Sequence, residues 1–428
     1  MTPFNLKSEL IDSWKSNRST YWIIIGSGLL LIIFTFSRTR LTTNPLSRII
    51  TVERIVDAGT MAHLTPTDTT QFELSIDVVK VGDNIYSSKP PSYPLIMAGQ
   101  AYLLKLITGK TFYEGKKTAI RLLTLLNQVI PYLVILILAL IMARQYYDDS
   151  WTINFLILSM TIGSLAYGYA VTINNHTFAA ILIFIAFFCT WAIWFKEQTS
   201  ILWFIILGFC GGLAASNDFP GLAFLGLFLL VAVYKNPVKG IIAGLFALIP
   251  IAVTLYTYFS LTGSPVPIYL RGDLYQYEGS YWQNPEANDT LRESKWTYLF
   301  HITFGHHGLF SATPVLILGA IGIYDSLKNR LQEYWKLMAL CLIGMIAVFL
   351  FVLLRTKNYG GSTIGLRWFI LFMPMLMFAG LPTIHQLGKT RNGKIIGIFL
   401  LVLSVPLVLQ ALIWEGFIQS ILETRIFN

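Results

Sequence analysis

In the segment VGDNIYSSKPPSYPL, residues 81–95, Lys89 stands immediately before Pro90 and Pro91. A residue that precedes proline avoids the α region, so Lys89 is held extended. The two prolines fix φ and can open a helix at residue 92. One ammonium is thereby set at the positive end of an apolar segment, where it suits a phosphate. A snorkelling lysine at a loop end is the plainer reading of the same residue. Arg48, Lys357 and Arg367 are further candidates for a phosphate, arginine in bidentate fashion and lysine as a point charge. Glu53, Asp57, Asp77 and Asp218 are candidate general bases, because a partly desolvated carboxylate has a raised pKa and can take a proton from a hydroxyl. Tyr86, Asn175, His176, His306, His307 and Tyr359 are candidate substrate contacts, and the aromatic run LYQYEGSYWQ, 274–283, could stack on a sugar or a polyprenyl chain. Together these groups describe transfer from a phosphate leaving group to a hydroxyl.

Several of them have plainer readings. Asp218 in SNDFP and His176 in TINNHT fit helix caps, and Arg367 fits an interfacial anchor. The pair His306–His307 lacks nearby Cys, His or carboxylate spacing for zinc, so no metal ligands are assigned and no cofactor is expected, with metal use left open.

The elements that must position these groups follow from composition. The 428 residues are 55% hydrophobic and only 12% charged, against about 25% charged in soluble chains. That balance means a polytopic membrane protein. The net charge of +9 contains no isolated basic cluster with interleaved aromatics, which argues against nucleic acid and for membrane lipids as the charged partner. Cys189, Cys210 and Cys341 each lie in apolar runs and give no disulfide framework. The first apolar run, from Tyr21, is span-length with no small-residue cleavage site after it, so a cleavable signal is not expected.

Eleven apolar runs read as spans: 21–37, 118–143, 151–171, 177–195, 200–215, 219–234, 239–262, 308–325, 336–354, 367–385 and 395–414. With the N-terminus inside, every short cytoplasmic connection carries Lys or Arg, while TINNHT and SNDFP on the other side carry none. A crossing at 92–108 would reverse that asymmetry, so this segment is expected to be an interfacial or re-entrant helix on the outer face. The expectation is an all-α polytopic membrane protein of about eleven transmembrane helices, forming one integral domain over 1–428. Its large outer segments are 38–117 and 263–307, and no separate soluble domain is expected. In the first of these, Ile49, Val52, Ile55 and Val56 follow helical spacing up to Gly59. Strand-like alternation and a Gly-Asp-Asn turn follow, before Lys89.

An amphipathic helix ending in DAGT, then GDNIYSSKPP and an apolar helix, resembles the polyprenyl-phosphate-dependent membrane glycosyltransferases of the GT-C class. The similarity is to the branch of protein O-mannosyltransferases and lipid A aminoarabinose transferases. It covers the N-terminal third by motif and the rest by topology. The resemblance implies a donor sugar on a polyprenyl phosphate, with Lys89 at its phosphate, and a lipid, glycan or protein acceptor. It implies an active face on the periplasmic or extracellular side of a bacterial inner or cell membrane, and an acidic catalytic residue early in the first loop. Members of that branch often place an Asp or Asp-Glu pair right after the first span, whereas this chain has RTRLTTNPLSR, with Asn44. The base then falls to Glu53, Asp57, Asp77 or Asp218, the first two favoured by position. A lipid or sugar transporter or flippase would carry ionisable residues near the midplane, and the predicted span interiors are nearly free of them. A non-catalytic envelope-assembly subunit would not need acids and cations gathered on one face.

Overall fold

The computed structural model describes residues 4–38, 41–66, 68, 75–286, 289–290, 293–331, 333–356, 358–361 and 363–413. Helices α1 (Leu6–Ser16) and α2 (Arg18–Ser37) lead into the first outer segment. That segment holds α3 (Thr43–Ala58), the strands β1 (Ala62–Leu64), β2 (Val78–Val81) and β3 (Asn84–Ser87), and α4 (Ser92–Thr108). Helix α5 (Phe112–Thr124) runs through a π-helical stretch, Leu125–Val129, into α6 (Ile130–Arg144). Next come α7 (Ser150–Met160), α8 (Leu165–Gly168), α9 (Asn175–Phe195), α10 (Ile201–Asn217), α11 (Gly221–Lys235) and α12 (Pro237–Thr262). The second outer segment contributes short 3-10 turns and α13 (Lys295–Thr303). The chain continues through α14 (Leu309–Ala312), α15 (Ile317–Asn329), α16 (Tyr334–Arg355), α17 (Met373–Ala379), α18 (Leu381–Gly388) and α19 (Arg391–Ile413).

Among the described residues, six helices are long and apolar enough to cross a membrane, or eight if each of two bent pairs is one span. The bends, 51° between α7 and the 165–171 turn and 43° between the 367–379 segment and α18, break the expected spans 151–171 and 367–385. Helices α10 and α11 are shorter apolar helices, and α4 is not among the span-length helices. The architecture is an integral membrane helical bundle; length and apolarity by themselves identify six to eight of the expected eleven crossings. Helix α9 sits at its centre, with 78% of its apolar window buried against 28% for α12 at the periphery. A helix apolar on all sides belongs in such a core or against lipid, as α12 does.

Close helix packing here relies on small residues, as it must where lipid tails compete with side chains. Gly208 and Gly212 on α10 face Ala243 and Ala247 on α12; a Cβ at Gly212 would lie 2.3 Å from the Ala247 carbonyl oxygen. Gly212→Val is therefore expected to lower stability by about 1–3 kcal/mol through overpacking, read as a fall in the thermal midpoint of the purified protein. Gly226→Ala on α11 meets nothing within 4 Å and should leave the midpoint unchanged or raise it.

The first outer segment forms as its pattern predicts, and α3 is buried on several sides, not on its apolar side alone. Ile49, Val52 and Val56 are buried, and so are the polar Arg48, Glu53 and Arg54 on its other sides. Gly59, at φ +67°, ends α3. The antiparallel sheet has strand order β1-β3-β2. Gly82, at φ +59°, makes the tight turn between β2 and β3.

Candidate functional site

The hairpin's register builds the first half of the site. Val78 pairs with Ser87, so Asp77 just before β2 comes opposite the residues just after β3. The Ser88 amide donates to the Asp77 carbonyl oxygen at 3.0 Å, and the Ser47 hydroxyl from α3 donates to the same oxygen at 2.8 Å. Lys89 Nζ then meets Asp77 Oδ1 at 2.7 Å. As expected, α4 opens at Ser92 behind Pro90–Pro91.

Asn44 and Arg48, one turn apart on α3, face the same space. The Arg48 guanidinium is 1% exposed and donates to the Asn44 side chain and, at 2.6 Å, to Asn175 Oδ1. Burial lowers its pKa to about 10, with Asp77 opposing the shift. Burial also lowers the Lys89 pKa; Asp77 opposes this, and Arg367 and Arg48 add to it. Crowded, desolvated cations of this kind favour an incoming anion.

The second half comes from helix ends of the bundle. Asn174 caps α9 by accepting from the Thr177 amide. Its own carbonyl accepts from Gln128, which the π-helical stretch turns inward, as such bulges often do at functional sites. His176, in the first turn of α9, meets Asp218 at the end of α10, with Nδ1 to Oδ2 at 2.7 Å and both side chains 6% exposed. Asp218 is therefore not the side-chain cap its sequence context suggests, because α11 has no side-chain cap hydrogen bond. Arg367, before α17, makes no side-chain hydrogen bond or ion pair among the described residues, and its Nε is buried without a partner. The turn Gly360–Gly361, at φ +79° and +85°, passes so close that a Cβ on Gly360 would lie 3.3 Å from that Nε.

These groups line one cavity of about 940 Å³, with Asp77, Lys89, Arg48, Asn175, His176, Asp218 and Arg367 all on its wall. The second outer segment contributes Tyr269, Tyr275, Trp282 and Asp289. It is latched to the first by the Trp282 indole, which donates to the Ile76 carbonyl at 2.9 Å.

Other candidates from the sequence fall elsewhere. Glu53 pairs with Lys116 on α5 at 2.8 Å. Asp57 pairs with Lys105 at 3.3 Å and accepts from the Phe112 and Tyr113 amides at the start of α5. At roughly 100° per residue they lie about 140° and 180° around α3 from Arg48, so they brace α4 and α5 instead of facing the cavity. Neither Glu53 nor Asp57, the two bases favoured by position, lines the cavity. Tyr86 packs beside Val79, Tyr258 and Ile268 and lines a separate small void that also touches Lys89. Tyr359, His306 and His307 cluster behind the 360–361 turn: Tyr359 stacks on His307 at 4.8 Å and donates to Glu293. Burial lowers His306 to about 4 and His307 to about 3, which keeps both rings neutral. Among the described residues no three His, Cys, Asp or Glu side chains are grouped as metal ligands. Lys357 lies outside the described residues. Arg38 and Asp289, which line the cavity, and Gln128 were not anticipated; the polar pair Asn127–Gln128 inside an apolar run was the available signal for the last.

Solved structures share this architecture. ArnT from Cupriavidus metallidurans matches with a TM-score of 0.51 at 14% identity, covering 89% of this chain and 63% of its own. The oligosaccharyltransferase AglB from Archaeoglobus fulgidus matches with a TM-score of 0.53 at 13% identity, covering 94% and 57%. The chain has the GT-C glycosyltransferase fold. It spans about 60% of the length of these two GT-C proteins. ArnT is also known bound to undecaprenyl phosphate, and AglB in complex with an inhibitory peptide and a dolichol-phosphate. No protein-family model and no curated protein matches the chain.

Proposed function

We propose that this protein transfers a sugar from a polyprenyl-phosphate carrier to a hydroxyl group of a lipid, glycan or protein. The observation that carries the reading is the single cavity in which Lys89, Arg48 and Arg367 converge beside Asp77, His176 and Asp218, within a GT-C fold. The cations would hold the donor phosphate and stabilise the charge it gains as the bond to the anomeric carbon breaks. Another group lining the cavity would take the acceptor's proton. Asp77 and Asp218 are the two cavity carboxylates among the sequence candidates. One displacement at the anomeric carbon would invert the linkage. The aromatic wall of the second outer segment suits the sugar or the first prenyl units.

In this reading the eleven-crossing topology holds, the whole chain is one integral domain, and the cavity opens on the periplasmic or extracellular face. It gathers the chain just after α2 and α16, the end of α10 and the start of α9. Those are the helix ends that the positive-inside asymmetry assigns to the outside. Purified protein given a radiolabelled polyprenyl-phosphate sugar and a membrane extract as acceptor is expected to move label out of the carrier lipid. Label that stays on the lipid as fully as with heat-inactivated protein would overturn the reading.

A further inference from the structure

We propose that the proton acceptor of this site is Nε2 of His176, oriented by Asp218, with no carboxylate acting directly on the acceptor; this rests on the transfer reading above. The position that follows the first span holds Asn44, an amide that accepts from Arg48 and cannot take a proton at neutral pH. Asp77 Oδ1 is engaged by Lys89. His176 Nδ1 meets Asp218 Oδ2 at 2.7 Å. Donation of the Nδ1 proton to that carboxylate fixes the tautomer and leaves the lone pair on Nε2. Nε2 makes no hydrogen bond to any described residue, and His176 lines the cavity.

The pair is also held rigidly. Asn175 Nδ2 donates to the Asn217 carbonyl at 3.1 Å, which fixes the first turn of α9 to the end of α10. The same amide's oxygen accepts from Arg48 at 2.6 Å. One asparagine thus sets the distance between the imidazole and the phosphate-binding cations, a coupling that transfer requires.

In the step, the acceptor oxygen bonds to the anomeric carbon as its proton passes to Nε2. The carbon–oxygen bond to phosphate breaks, and its electron pair stays on the phosphate oxygen beside Lys89 and Arg48. The imidazolium is stabilised by Asp218. The charged groups that act on His176 are Asp218 from α10, Arg48 from α3 and Arg367 from the turn before α17. Burial disfavours the imidazolium, Asp218 favours it, and the two arginines disfavour it.

The test uses the full-length protein in nanodiscs with a labelled polyprenyl-phosphate sugar. His176→Gln is expected to lower kcat by about 10²–10⁴-fold, leave donor KM unchanged, and remove the acid limb of the kcat profile. Asp218→Asn keeps the imidazole but withdraws the charge that favours its protonation, so a smaller loss and a limb moved to lower pH are expected. The double variant should fall no further than His176→Gln. Should His176→Gln fail to fold, the limb in the near-isosteric Asp218→Asn decides, and an unmoved limb overturns the proposal. Wild-type kcat in His176→Gln overturns it, as does complete loss in Asp218→Asn with His176→Gln active. If the wild-type protein consumes no donor at all, the transfer reading falls, and this assignment with it.

Discussion

Lys89→Met is expected to lower kcat/KM for a polyprenyl-phosphate sugar by at least about 10²-fold, the range found when a fixed donor to a developing anion is removed. It is expected to weaken the fold as well. The change leaves the Asp77 carboxylate, only 6% exposed, without its 2.7 Å partner. Removing one member of a buried pair costs about 3–5 kcal/mol, and the 18% exposure of the Lys89 side chain puts this case at the lower end. The two effects are separable. Asp77→Asn added to Lys89→Met should recover most of the thermal midpoint and none of the turnover. Turnover restored together with stability would reduce Lys89 to a structural role. Normal turnover in Lys89→Met alone would remove it from the site.

Arg367→Ala should show the opposite combination. Its guanidinium has no hydrogen-bond partner among the described residues and repels both Lys89 and Arg48. Its removal is expected to leave the thermal midpoint unchanged or slightly raised, while kcat/KM for the donor falls by about 10–10³-fold, the span of a charged contact to phosphate. Arg367→Lys should recover only part of that loss, because an ammonium cannot reproduce a planar two-point grip. A fall in thermal midpoint as large as the one expected for Lys89→Met would mean that Arg367 holds the fold and not the ligand. Arg48 differs in kind: its ties to Asn44 and Asn175 make it part of the wall as well as part of the charge.

Much of the first outer segment was legible because its signals are local. Apolar spacing through Val56 with Gly59 after it defined α3, and Gly82 with Asp83 defined the hairpin turn. Pro90–Pro91 marked the start of α4, and so the lysine was found from a few residues of sequence. Its partner was not. Asp77 reaches Lys89 only through the strand register, where a slip of one residue would turn it to the other face. Glu53 and Asp57 looked catalytic by position, but a half-turn of helix directs them to Lys116 and the start of α5. His176 and Asp218 are 42 residues apart and meet because α9 and α10 pack antiparallel, which no local pattern reports. Broken helices were harder to read: hydropathy takes 151–171 and 367–385 as continuous, although Gly163 lies at the 51° break and Gly380 with Pro382 at the 43° break.

The Asp77–Lys89 contact bears on how a catalytic cycle would end. An ammonium with no other anion would hold a dianionic lipid phosphate tightly once the sugar had gone, and the spent carrier would block the cavity. Here a carboxylate stands 2.7 Å away, ready to reclaim that charge the moment the phosphate shifts. The same residue that weakens arrival of the loaded lipid would hasten departure of the empty one. Residence time, more than affinity, is what such a built-in competitor adjusts.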